Sequence, residues 1–80
     1  MVKKKFTWQF NGYESLKIAE HQMNHLKEFF EREKIEILDI GTKNINEFVS
    51  ISFVIADEKF EETIKNSLKP HFISQDQSIR

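Results

Sequence analysis

The stretch FVSISFVIADEKFEETIKNSL, residues 48–68, joins an alternating segment to a helical one with no glycine or proline between them. The alternation predicts a β-strand, one face of which carries Val49, Ile51, Phe53 and Ile55. Asp57 is a predicted N-cap, and the glutamates that follow it suit the first turns of a helix, where the dipole favours negative charge. That helix would end before Pro70, because the residue preceding a proline avoids the α region. Its predicted buried stripe is Phe60, Ile64 and Leu68.

The segment IEILDIG, residues 35–41, predicts the strand that pairs with this one. The polar residues 43–46 would form the turn between the two strands. The alternation slips between Ile37 and Leu38, which predicts either a β-bulge or a strand buried on both sides.

Residues 13–34 contain no glycine or proline and predict a long amphipathic helix. Its predicted core residues recur at spacings of three and four: Leu16, Ala19, Met23, Leu26 and Phe30. Before it, KFTWQF at residues 5–10 predicts a half-buried strand that ends at Asn11-Gly12. The face predicted to be buried carries Phe6, Trp8 and Phe10.

The element order is therefore β-α-β-β-α, with a possible last strand at HFIS, residues 71–74. Two helices on one face of a four-stranded antiparallel sheet make an α+β, ferredoxin-like arrangement. A three-stranded βαββα variant is the alternative. We predict one small domain over residues 1–80, with frayed ends at residues 1–4 and 75–80.

The composition excludes several classes of function, whereas it says less about the fold. A chain of 80 residues has a modest core and little room for a deep catalytic cleft. The formal net charge of −1 does not favour nucleic-acid binding, which needs a basic excess. There is no cysteine, and no apolar run approaches the length of a membrane span. We expect a cytoplasmic protein with no cofactor and no membrane association.

Two histidines, His21 and His25, lie one turn apart on the first helix, with Glu28 further along the same side. Together they make a chemically acceptable set of metal ligands. However, they lie opposite the predicted core stripe, where no second shell would orient the rings. We therefore expect no metal site, and a solvated helix face instead.

A flank of the same helix predicts an interaction surface formed by Ile18, Gln22, His25 and Phe29. Large apolar residues on an exposed flank are typical of a surface that meets a partner. The alternative is that Phe29 packs under a sheet edge and Ile18 is simply exposed.

The loop at Asn11 and Gly12 is the predicted ligand-binding position, because it leads to the N-terminus of the first helix, where free N–H groups attract anions. An RNA-binding sheet would also need aromatic residues on its open face. On the strand that starts near residue 49, the residues sharing the face of Phe48 are Ser50 and Ser52. Taking this as the open face, we expect no stacking platform.

The segments FTWQFNG and NEFVSISFVIADEKFEETIKNSL resemble the YbeD-like family of small bacterial proteins. Phe6, Thr7, Trp8 and Gly12 match the first strand of that family. The later strand is similar through Phe48, Ser50, Ile51 and Ala56, with the serine spacing shifted, whereas the polar end HFISQDQSIR departs from an apolar last strand. The resemblance implies a ferredoxin-like βαββαβ fold similar to ACT-type regulatory domains, without an established enzymatic activity.

These observations predict a non-enzymatic regulatory or protein-interaction module that dimerises or docks on a protein partner. The contact would use a sheet edge or the flank of the first helix. The alternative is a domain similar to ACT domains that senses an amino acid or another anion near Asn11 and Gly12.

Overall fold

The computed structural model describes residues 2–75 as four strands and two α-helices in the order β-α-β-β-α-β. Their bounds are β1 Lys3–Asn11, α1 Ser15–Arg32, β2 Asp39–Asn46, β3 Val49–Asp57, α2 Glu61–Leu68 and β4 Phe72–Gln75, with a short 3-10 helix at Glu58–Phe60 before α2. The strands form one antiparallel sheet in the spatial order β2-β3-β1-β4. The ferredoxin-like prediction is confirmed in its four-stranded form.

Burial along β1 follows the predicted alternation, and the buried side of β1 forms part of the core. Phe6 and Trp8 are buried on the helix side, while Thr7 and Gln9 lie on the opposite face. The Trp8 Nε1–H donates to the carbonyl oxygen of Leu68 at 2.9 Å, which joins β1 to the end of α2. The core is completed by residues from both helices and from β3: Leu26 and Phe30 of α1, Ile64 of α2, and Val54 and Ala56 of β3.

The second strand begins later than predicted. Residues 35–38 precede the strand, although the Leu38 N–H donates to the Ile55 carbonyl oxygen at 2.7 Å. Ile35 and Ile37 pack against the core, and this burial produced the apolar signal of the sequence. Instead β2 runs through the predicted turn as far as Asn46, and a two-residue turn follows. The irregularity in pairing lies between Asn44 and Asn46, so the bulge predicted at residues 37–38 is wrong in position.

The ends of the described chain are more ordered than predicted. Lys3 and Lys4 belong to β1, and the Glu58 N–H donates to the Val2 carbonyl at 2.9 Å. Gln75 closes β4, opposite Lys4. The remainder of the predicted frayed ends, residue 1 and residues 76–80, lies outside the described residues.

The third strand is turned opposite to our prediction. Ser50, Ser52, Val54 and Ala56 are fully buried beneath the helices. Val49, Ile51, Phe53 and Ile55 therefore lie on the face that no helix covers. The assignment of Ser50 and Ser52 to the open face was wrong, because strand pairing with β1 places Ser52 beside buried Trp8.

Small residues bring α1 close to this strand. Ser15 and Ala19 of α1 are buried, whereas Leu16, predicted in the core, is 38% exposed. The Ser15 hydroxyl donates to Ser50 Oγ at 3.0 Å, and Asn44 Nδ2 donates to the same oxygen at 2.8 Å. This chain of hydrogen bonds ties the start of α1 to the β2–β3 hairpin.

Candidate interaction surface

The face of the sheet opposite the helices, which we call the open face, has a column of bulky apolar residues along its centre. The column is β3, with Val49, Ile51, Phe53 and Ile55. On one side lies β1, with Lys3, Lys5, Thr7 and Gln9, and beyond it β4, with Phe72 and Ser74. On the other side lies β2, with Asp39, Gly41 and Lys43.

Phe53 is the centre of the open face. Its ring lies over Gly41 on the neighbouring strand, so that a methyl group added at Gly41 would be 3.1 Å from its Cζ. The Lys5 ammonium lies 5.0 Å from the ring centroid, a cation–π distance. Phe72, two strands away in the same row, is 57% exposed. Phe53 thus contacts both neighbouring strands, and the two phenylalanines face the same side of the sheet.

The charges of the open face are mixed. Lys3 stands opposite Asp57 in the β1–β3 register. Asp39 and Lys43 lie on the same strand, two residues before and two residues after Gly41. A surface that binds a polyanion would carry charge of one sign, whereas this face presents both.

The predicted ligand-binding loop is already engaged in internal hydrogen bonds. Gly12 has φ of +114°, and its N–H donates to the Phe48 carbonyl at 2.6 Å. Its carbonyl accepts from the Ser15 N–H at 3.0 Å. Asn11 Oδ1 accepts from Gln9 Nε2 at 3.2 Å. The Gly12 N–H is therefore committed to the hairpin rather than to an anion.

The predicted flank of α1 is only partly exposed. Ile18 is 45% exposed and His25 is exposed, but Gln22 is half-buried. Phe29 is also half-buried and packs against the core, in edge contact with the Phe30 ring at 5.4 Å. A surface depression of about 390 Å³ adjoins Ile18, but the other residues of the flank do not line it. The structure brings these four residues onto one stripe without making a continuous apolar patch.

The two histidines of α1 face each other, with their Nε2 atoms 3.0 Å apart. His25 Nδ1 is 3.9 Å from a Glu28 carboxylate oxygen. His71 lies elsewhere, where its Nδ1 accepts from the Gln9 N–H at 2.8 Å. Within residues 2–75 no group of three or more histidine, aspartate or glutamate side chains is arranged to hold a metal ion.

The open face is the feature that the sequence patterns did not predict. A signal was present: β1 fixes its own orientation through Phe6 and Trp8, and its pairing with β3 then determines which face of β3 is buried. The size of Phe53 and its neighbours suggests that their face of β3 is the buried one, because bulky apolar residues are usually buried. In this sheet that suggestion is wrong.

The chain matches no family model, no curated protein and no solved structure. The resemblance to the YbeD-like family therefore stays a prediction. In the part of the chain that the structure describes, neither helix is long and apolar enough to cross a membrane.

Proposed function

We propose that the protein is a non-enzymatic regulatory or protein-interaction module of the cytoplasm, and that it binds a protein partner through the open face. The observation that carries the proposal is the orientation of β3, which turns two serines and an alanine toward the helices and Val49, Ile51, Phe53 and Ile55 away from them. All four side chains are half-buried within the sheet, and an apolar column that no helix covers is typical of an interaction surface.

The chemistry of the face favours a protein over a nucleic acid. On the open face β1 presents no aromatic residue and β3 presents Phe53 alone, so the two central strands do not form the aromatic platform on which bases stack. The adjacent Asp39 and Asp57 would repel phosphates. An apolar centre with a rim of mixed charge resembles the anatomy of protein–protein interfaces.

Thiol labelling tests the proposal directly, because the chain contains no cysteine. Thr7→Cys places one thiol on the open face, opposite Phe53, and Thr63→Cys places a matched thiol on the exposed side of α2. Each variant is labelled with a maleimide in extract of the source cells and as dilute purified protein. We expect the thiol at position 7 to react about tenfold more slowly in extract, and the thiol at position 63 to react equally in both.

Equal rates at position 7 in extract, in dilute solution and in purified protein at about 1 mM would show that nothing covers the open face, and would contradict the proposal. Treating the extract with nuclease is the second control. Protection of position 7 that disappears after nuclease treatment would identify the partner as a nucleic acid and would overturn the assignment to a protein.

A further inference from the structure

We propose that the partner of the open face is a second copy of this chain, packed sheet against sheet about a two-fold axis that crosses the strands at Phe53. This inference rests on the proposed function, because it names the partner of the same face. It follows from the extent of the face and from the positions of its charges.

The open face is large enough for a specific dimer. Its two central strands have nine residues each, and the sheet is four strands wide. At standard spacings the three long strands cover about 30 Å by 15 Å and the four-residue β4 adds a short edge, which gives roughly 500 Å² for each copy, or about the 1,000 Å² in total that a specific interface needs. The apolar column runs along its length, so that two copies would bury the column against itself.

The charges of β2 are self-complementary about the proposed axis. Asp39, Gly41 and Lys43 pair with Ile55, Phe53 and Ile51. Asp39 and Lys43 are therefore equidistant from the row of Phe53, on either side of it. A two-fold axis lying between the sheets along that row places Asp39 of each copy over Lys43 of the other, twice in the dimer. The same operation places Phe53 against its counterpart at the axis.

A different two-fold axis, parallel to the strands along β3, would exchange β2 with β1. Asp39 would then face Lys5, which shares its row, and Lys43 would face Gln9. Both axes place Asp39 over a lysine of the other copy, but the lysine differs between the two. Charge reversals on β2 therefore distinguish them.

The test is sedimentation equilibrium on untagged protein from about 1 μM to about 1 mM, with the variants Asp39→Lys, Lys43→Asp and the double variant. We expect the wild type to dimerise reversibly and each single reversal to raise the dissociation constant about tenfold, because two pairs are lost together. In the double variant the opposed charges are restored, and its dissociation constant should return to within about threefold of the wild type. Glu20→Lys, on the exposed side of α1, is the matched reversal that should change nothing.

A wild type that remains monomeric up to about 1 mM overturns self-association. The proposed function is judged separately in that case, by the protection of position 7 in extract. A dimer whose double variant dissociates as readily as the single reversals overturns the proposed axis, because the lysine introduced at position 39 would then oppose Lys5. Thermal unfolding of every variant confirms that each one is folded before its association is compared.

Discussion

Ser50 and Ser52 occupy equivalent positions on the helix side of β3, yet their hydroxyl groups have opposite surroundings. Both side chains are fully buried. Ser50 Oγ receives hydrogen bonds from Ser15 Oγ at 3.0 Å and from Asn44 Nδ2 at 2.8 Å. Ser52 Oγ has no hydrogen-bond partner among the described residues. Replacing each serine by alanine should therefore change the free energy of unfolding in opposite directions.

Ser52→Ala removes a hydroxyl group that is desolvated without a hydrogen bond in return. A buried unpaired polar group costs about 1–3 kcal/mol, and the small loss of packing offsets part of the gain, so we expect a stabilisation of about 1 kcal/mol. Ser50→Ala leaves the buried Ser15 hydroxyl without its acceptor, whereas exposed Asn44 can turn to water. We expect a destabilisation of about 2 kcal/mol.

The assay is urea unfolding followed by circular dichroism, at one protein concentration low enough to keep the chain monomeric. The slope with urea should be unchanged and the midpoints should move in opposite directions. The Ser15→Ala/Ser50→Ala double variant should recover part of the loss, because removing both partners leaves nothing unpaired. If Ser52→Ala destabilises the protein as much as Ser50→Ala does, the assignment of an unpaired hydroxyl is refuted.

Three further substitutions test the backbone and the link between β1 and α2. Trp8→Phe loses the hydrogen bond to the Leu68 carbonyl and part of the core volume, and should lower the free energy of unfolding by about 2–3 kcal/mol in urea. Gly12→Ala meets no atom within 4 Å but keeps φ at +114°, so thermal unfolding should show a loss of about 1–2 kcal/mol from backbone strain alone. Lys69→Gly should raise stability by about 1 kcal/mol in the same assay, because Lys69 ends α2 with φ of +48°. A Lys69→Gly variant that unfolds earlier, or a neutral Gly12→Ala, would contradict the strain argument.

The order and type of the elements could be predicted because local patterns and packing agree. The alternation of β1 matches its burial, since Phe6 and Trp8 face the helices. The stripe of α1 was placed correctly at Ala19, Leu26 and Phe30. Asp57 does cap the next segment, accepting a hydrogen bond from the Lys59 N–H at 3.0 Å, although that segment is a 3-10 turn before α2.

The candidate site could not be predicted from β3 alone, because both of its faces are consistent with a strand in a sheet. One face reads Ser50, Ser52, Val54 and Ala56, and the other carries larger residues. A single strand does not reveal which face meets the helices. That choice depends on pairing with β1 and on the close approach of α1, which needs small side chains opposite Ser15 and Ala19.

The orientation of β3 has an energetic consequence that bears on function. Burying Ser50 and Ser52 while leaving Ile51 and Phe53 on the open face forgoes hydrophobic stabilisation that the opposite orientation would provide. β3 keeps this orientation in the isolated chain because its pairing with β1 and the hydrogen bonds from Ser15 and Asn44 hold it in place. Each 100 Å² of apolar surface covered by a partner would contribute about 2.5 kcal/mol before the entropic and desolvation costs of association are subtracted. Polar replacements at Ile51 and Phe53 should therefore weaken association far more than they weaken folding, which is the behaviour of an interface and the reverse of that of a core.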